Sequence, residues 1–299
     1  MSLWIPVTLA AAVFQTLRFM LQKLLSGSRL SVGGATFARF AYSAPLVIGG
    51  LLAWSAISGR PIPQVGAHFW IYAAIGGLTQ ILATVCVVML FKQRNFAVGI
   101  TFKKTEVIQT ALVGFLILGE GISTAALGAI VIGLVGVLLL SRSPDSQDGW
   151  WRQLTGRAPL IGLASGVLFA FSAVTYRGAS LEVEAEPVLR AAVTLAAVVG
   201  MQFIAMGLWL AWREKGQITA VWRARRTAAW VGLTSLGGSF CWFLAFTLQN
   251  AAYVNALGQV EMVLSLLASV LFFREKITGR EIGGMALLGL SILILVLVI

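Results

Sequence analysis

Apolar runs of about twenty residues recur along the chain, broken by short clusters of Gly, Pro, Ser and charged residues. A helix needs about 20 mostly apolar residues to cross a bilayer. Ten segments meet that length, at 4–24, 33–56, 67–90, 97–117, 123–141, 159–179, 187–211, 228–248, 252–273 and 278–299. This pattern predicts an all-α polytopic membrane protein with ten transmembrane helices. The first segment lacks a basic leader and a convincing cleavage site, so it reads as a spanning helix and not as a removable signal. The longest polar stretch, SRSPDSQDGWWRQLTGRAP, falls between the fifth and sixth segments. It divides the chain into a five-helix unit at 1–142, a cytoplasmic linker at 143–158 and a second unit at 159–299.

The two units repeat each other. A shift of 155 positions carries Glu106 onto Glu261, Glu120 onto Glu275, Ile122 onto Ile277 and Gly128 onto Gly283. Each half therefore reads E-x13-E-x7-G across its fourth and fifth spans. Arg39 and Arg190 hold corresponding places early in the second and seventh spans. A unit with an odd number of spans forces its second copy to enter the membrane from the opposite side. Inverted repeats of that kind are a transporter architecture, with the substrate site between the halves.

On these residues the chain resembles the drug/metabolite transporter superfamily, specifically its ten-helix EamA type. The resemblance is carried by Arg39 and Arg190 in the second helix of each unit, by Glu120 and Glu275 closing each fourth helix, and by Gly128 and Gly283 opening each fifth. It covers essentially the whole length. It implies secondary transport of small organic solutes, often amino-acid or metabolite export, through a central cavity in a bacterial-type inner (plasma) membrane. The chain departs from the family in two places. The stretch KKTE at 103–106 is usually apolar or weakly polar in the family, and family members commonly keep both termini in the cytoplasm.

The charges argue for the opposite orientation here. Loops after odd-numbered spans hold fifteen Lys and Arg, against only Arg60 and Arg177 after even-numbered ones. By the bias toward positive cytoplasmic loops, both termini are expected outside. The same loops account for a net charge of +11, which in a soluble protein would suggest nucleic acid. With 59% hydrophobic and 11% charged residues, the chain has too little polar surface for that partner. The run RARR at 223–226 reads as a membrane flank. Nine of ten tryptophans lie near predicted helix ends, as an interfacial belt would place them, and Trp242 lies well inside the eighth span.

Enzyme chemistry finds little support. His68 is the single histidine, Cys86 and Cys241 are far apart in apolar segments, and neither G-x-S-x-G nor a phosphate-binding loop occurs. No metal or cofactor is expected.

The informative charges are those inside spans. Glu120 and Glu275 sit at turns, where a carboxylate favours the positive end of the following helix. With Gly128 and Gly283 they read as structural. Arg39 and Arg190 lie near helix ends and read as anchors, within snorkelling reach of the interface. Glu106 and Glu261 lie two to three turns inside, where an ionised carboxylate must face protein or water. Lys103, Glu106 and Thr110 share one helix face; Lys104 is rotated by about 100° and is expected to miss that contact.

Three readings of Glu106 stay open: an intrahelical pair with Lys103, a substrate site, or a carboxyl group that exchanges a proton. Glu261 has no lysine nearby in sequence, so burial should dominate there. It is the preferred proton-coupling acid. Gln15, Thr79, Phe169, Ser172, Tyr176, Ser239, Trp242, Asn255 and Gln259, with Ser165 and Ser235, complete an expected wet cavity. The expected activity is alternating access for a small organic solute, with lysine holding an anionic group and glutamate an amine, as for an amino acid. The alternative is a receptor on the same fold that binds without transporting. Lipid, the solute and protons are the expected partners, with a monomer or homodimer both open.

Overall fold

The structure, a computed structural model, describes residues 2–26, 30–91, 103–140, 157–264 and 279–298. These contain eleven helices: α1 (Trp4–Ser26), α2 (Val32–Ser58), α3 (Ala67–Phe91), α4 (Glu106–Leu118), α5 (Thr124–Leu140), α6 (Arg157–Leu181), α7 (Pro187–Arg213), α8 (Gln217–Arg223), α9 (Arg225–Leu248), α10 (Ala251–Gly258) and α11 (Gly279–Val298). Among the described residues there is no strand. Six helices, α1, α2, α3, α6, α7 and α9, are long and apolar enough to cross a membrane. The chain is a multi-pass membrane protein. Helices α4, α5 and α11 are shorter apolar helices at the expected fourth, fifth and tenth spans, and α10 opens the expected ninth. The remainder of the fourth span before Lys103 and of the ninth after Leu264 lies outside the described residues, as do Glu275 and the basic loops at 92–100 and 141–156.

Local chemistry sets the helix ends. Ser31 caps α2 by accepting the Gly34 N–H at 2.9 Å, and its hydroxyl also donates to Glu214 at the end of α7. Pro187, which has no N–H to lose, starts α7. Helix α4 ends at Gly119 with φ +66°, and the Glu120 N–H returns to the Gly114 carbonyl. That is the left-handed stop that glycine makes without strain. Outward faces are apolar: Leu116 is 70% exposed and Leu208 67%, as lipid contact requires.

Helix pairing follows a pattern. Helix α1 packs on α9, α3 on α6, α2 on α7, α4 on α10 and α5 on α11. Matching α1–α5 in order with α6, α7, α9, α10 and α11 turns the first pairing into the second and returns the other three unchanged. At the α5–α11 contact, a Cβ on Gly136 would stand 2.8 Å from the Gly284 carbonyl, and the Ser291 hydroxyl donates to the Ala129 carbonyl at 2.6 Å. Small residues let backbones meet in lipid in this way. Gly128 and Gly283, expected to be the structural glycines, meet nothing within 4 Å. Close packing falls on Gly133 and Gly136 instead, because those face the partner helix.

Candidate functional site

Helix α4 begins and helix α10 ends inside the bundle, and the site forms at those two turns. Thr105 precedes α4 with φ −66° and ψ −6°, and Gln259 follows α10 with φ −60° and ψ −15°. At both turns the hydrogen bonding tightens to three-residue spacing: the Ile108 N–H reaches the Thr105 carbonyl at 3.2 Å, and the Met262 N–H reaches the Gln259 carbonyl at 2.9 Å. Small residues hold the turns close. A Cβ on Gly166 of α6 would stand 2.9 Å from the Lys103 carbonyl, and one on Gly258 would stand 2.4 Å from the Trp242 ring.

These turns concentrate charge. Lys103 Nζ lies 3.2 Å from Glu106 Oε2 and stands over the Phe169 ring at 4.8 Å. Lys104 Nζ crosses to Glu261 Oε2 at 2.8 Å. The same oxygen accepts Gln15 Nε2 at 3.0 Å, while Gln15 Oε1 accepts Arg18 Nη2 and Trp242 Nε1, both at 3.2 Å. Gln15 therefore joins a carboxylate, a guanidinium and an indole. Glu261 has no lysine near it in sequence, yet one from 157 positions away pairs with it, so it is not a lone buried carboxylate. The rotation that takes Lys104 off the face of Lys103 aims it at the other half.

Above the turns lies a cavity with about 690 Å³ of non-atom space, its mouth included. Gln15, Lys103, Glu106, Phe169, Ser172, Tyr176, Ser239, Trp242, Asn255 and Glu261 line it. Trp242 stacks on Phe246 with ring centroids 5.6 Å apart, and Tyr176 stacks on Phe243 at 4.4 Å. Gln202 donates to both the Tyr176 hydroxyl at 3.2 Å and Gln80 Oε1 at 3.0 Å, fixing that wall from behind.

Several expected residues stand elsewhere. Thr110 is behind the lining, donating to the Glu106 carbonyl at 2.7 Å and accepting Asn255 Nδ2 at 2.9 Å. Gln259 turns away, with Nε2 3.5 Å from the Lys104 carbonyl. Thr79 bonds back to Ile75 of its own helix at 2.8 Å, and Ser165 donates to the Ala83 carbonyl at 3.2 Å. Glu120 does not serve the N-terminus of α5; it pairs with Arg177 at 2.5 Å, and Arg177 also donates to the Phe246 and Gln249 carbonyls. Arg190, by contrast, stands where an anchor would, donating to the loop carbonyl of Ala185 at 2.6 Å.

Arg39 departs most from expectation. It is 4% exposed, lines the cavity, and donates to Thr84 Oγ1 at 3.2 Å and Ser239 Oγ at 3.1 Å, far from any snorkelling position. Arg18 lines the same cavity and sequence reasoning missed it. The available signal was an arginine three positions after Gln15, hence on the same face, inside an apolar helix. Among the described residues no cluster of His, Cys, Asp and Glu could hold a metal ion.

Residues 156–297 match the model of the EamA-like transporter family. The second half belongs to that family. The EamA-like family is itself part of the drug/metabolite transporter superfamily. A solved crystal structure of a protein, 16% identical in sequence, matches this chain with a TM-score of 0.71, covering 99% of this chain and 96% of that one. At that identity the likeness concerns the fold, and it extends over both halves. A comparison with curated proteins gave no match.

Proposed function

We propose that this EamA-type chain is a secondary active transporter that moves a small organic solute by alternating access around the cavity. The observation that carries the reading is the meeting of two interrupted helices, one from each half, with their buried charges directed at one cavity. Interrupted helices at a repeat interface are how secondary transporters build a midplane site. The self-matching helix pairing supports two inverted five-helix repeats and, with the apolar segments, ten spans. The basic loops support termini outside the cytoplasm, while a bacterial-type inner membrane and export are what the family resemblance implies.

Proton coupling is assigned to Glu261. Its carboxylate ties the turn before α4, through Lys104, to the turn after α10, and Gln15 ties it to α1. Protonating it would release Lys104 and loosen the tie between halves, which is the kind of bistable contact a coupled transporter needs. The purified protein in vesicles should exchange solute across the membrane in a counterflow assay. Binding without exchange would leave a receptor. Glu261→Gln should retain exchange and lose the response of net flux to a pH gradient; an unchanged response would remove Glu261 from the coupling.

A further inference from the structure

The cavity presents unmatched charge of one sign. Both of its carboxylates are taken, Glu106 by Lys103 and Glu261 by Lys104 and Gln15. Among the described residues neither guanidinium has a carboxylate within ion-pair distance, although the charge of Glu261 acts on Arg18 through space. Arg18 is 3% exposed, donates to the Gln15 amide oxygen, and keeps a buried Nε with no hydrogen-bond partner. Arg39 donates to the hydroxyls of Thr84 and Ser239 and stands over the Phe40 ring at 5.3 Å. On α9, Ser235 is 2% exposed and lines the same cavity, and its hydroxyl has no hydrogen-bond partner among the described residues. Arginine stays charged in proteins, and an unpaired buried charge is costly unless a ligand or water answers it.

A zwitterion fits this arrangement poorly, because its ammonium group would find no unoccupied carboxylate. We infer that the solute is an organic carboxylate without an ammonium group, its acid end on Arg18, Arg39 and Ser235 and its apolar body against Trp242 and Phe246. A guanidinium offers the planar paired donors that a carboxylate accepts. The stacked Trp242–Phe246 pair, 5.6 Å between centroids, supplies a flat apolar wall. The inference rests on the cavity being the transport site, and it departs from the amino-acid expectation on one point: both carboxylates are ion-paired, whereas neither guanidinium is.

Three probes with one phenyl skeleton test it: 3-phenylpropionate, phenylalanine and phenethylamine. Thermal stabilisation of the purified full-length protein should rank 3-phenylpropionate tightest, by about tenfold or more over phenylalanine, with phenethylamine weakest. Arg39→Gln and Arg18→Gln should each weaken 3-phenylpropionate about 10- to 100-fold. A preference for either amine-bearing probe, or no stabilisation by 3-phenylpropionate, overturns the inference whether or not the variants fold. Counterflow separates the two readings. Stabilisation by 3-phenylpropionate without exchange keeps the carboxylate site and removes transport, whereas exchange of phenylalanine in preference removes the carboxylate site and keeps transport.

Discussion

The turn before α4 and the turn after α10 share a backbone device and differ in chemistry. Each places a glutamate in the cavity wall, Glu106 in one and Glu261 in the other. The first turn carries two lysines, while the second carries Gly258 and Gln259 at the matching positions. The first half thus supplies the counter-ions for both acids. Lys103 serves the first residue of α4, three positions on, and Lys104 serves the opposite half. A local pair forms wherever the helix forms, so it adds little to the packing of the halves. A pair that spans them exists only in the assembled bundle. Two adjacent lysines therefore do different work: one makes a charged segment tolerable, and the other fastens the repeats together.

Removing the spanning pair should cost most. Lys104→Met removes the ion pair of Glu261 and leaves it the Gln15 amide as hydrogen-bond partner, with Lys103 and Arg18 acting only through space. Breaking a buried pair from one side costs about 3–5 kcal/mol. Unfolding of the purified protein in detergent would read that loss, and adding Glu261→Gln to the same chain should recover most of it. If the double variant is no better than the single one, the pair does not hold the halves. Next in size is Gly166→Ala, whose Cβ would stand 2.9 Å from the Lys103 carbonyl, a backbone atom with little room to move. A loss of about 1–3 kcal/mol is expected from such overpacking. Lys103→Met should cost less than either, about 1 kcal/mol, since Glu106 keeps access to the cavity. A loss equal to that of Lys104→Met would erase the distinction between the two lysines.

Much of this plan was legible in the chain. Apolar runs mark the spans because a bilayer demands a minimum length, and helical spacing groups Phe169, Ser172 and Tyr176 on one face because 3.6 residues complete a turn. The register of Glu106 with Glu261 was visible for the same reason, as each half repeats its own spacing. Contacts between halves were not legible. The partner of Lys104 lies 157 positions away, and no local pattern encodes which helices will adjoin. Arg39 was misplaced because distance along a helix was taken for depth in the membrane. The cavity extends down to that arginine, where α2 meets Thr84 of α3 and Ser239 of α9. Gly128 and Gly283 show the converse, a repeat in sequence that marks no close contact in space.

The smallest effect tests whether the cavity holds water. Asn255, 8% exposed and one turn before the second interruption, donates to Thr110 Oγ1 at 2.9 Å, one turn after the first. Thr110→Val keeps the shape of that side chain and removes the acceptor. If water reaches Asn255 from the cavity it lines, the released amide finds another partner and the loss should stay near 0.5–1 kcal/mol. A sealed, dry interior would leave the amide unsatisfied, and the loss would rise to about 2 kcal/mol or more. The two outcomes differ in unfolding midpoint by enough to measure. The larger one would mean that the charged turns face packed protein with no water between them, and the shared role of Glu106 and Glu261 at a solute site would fall with it.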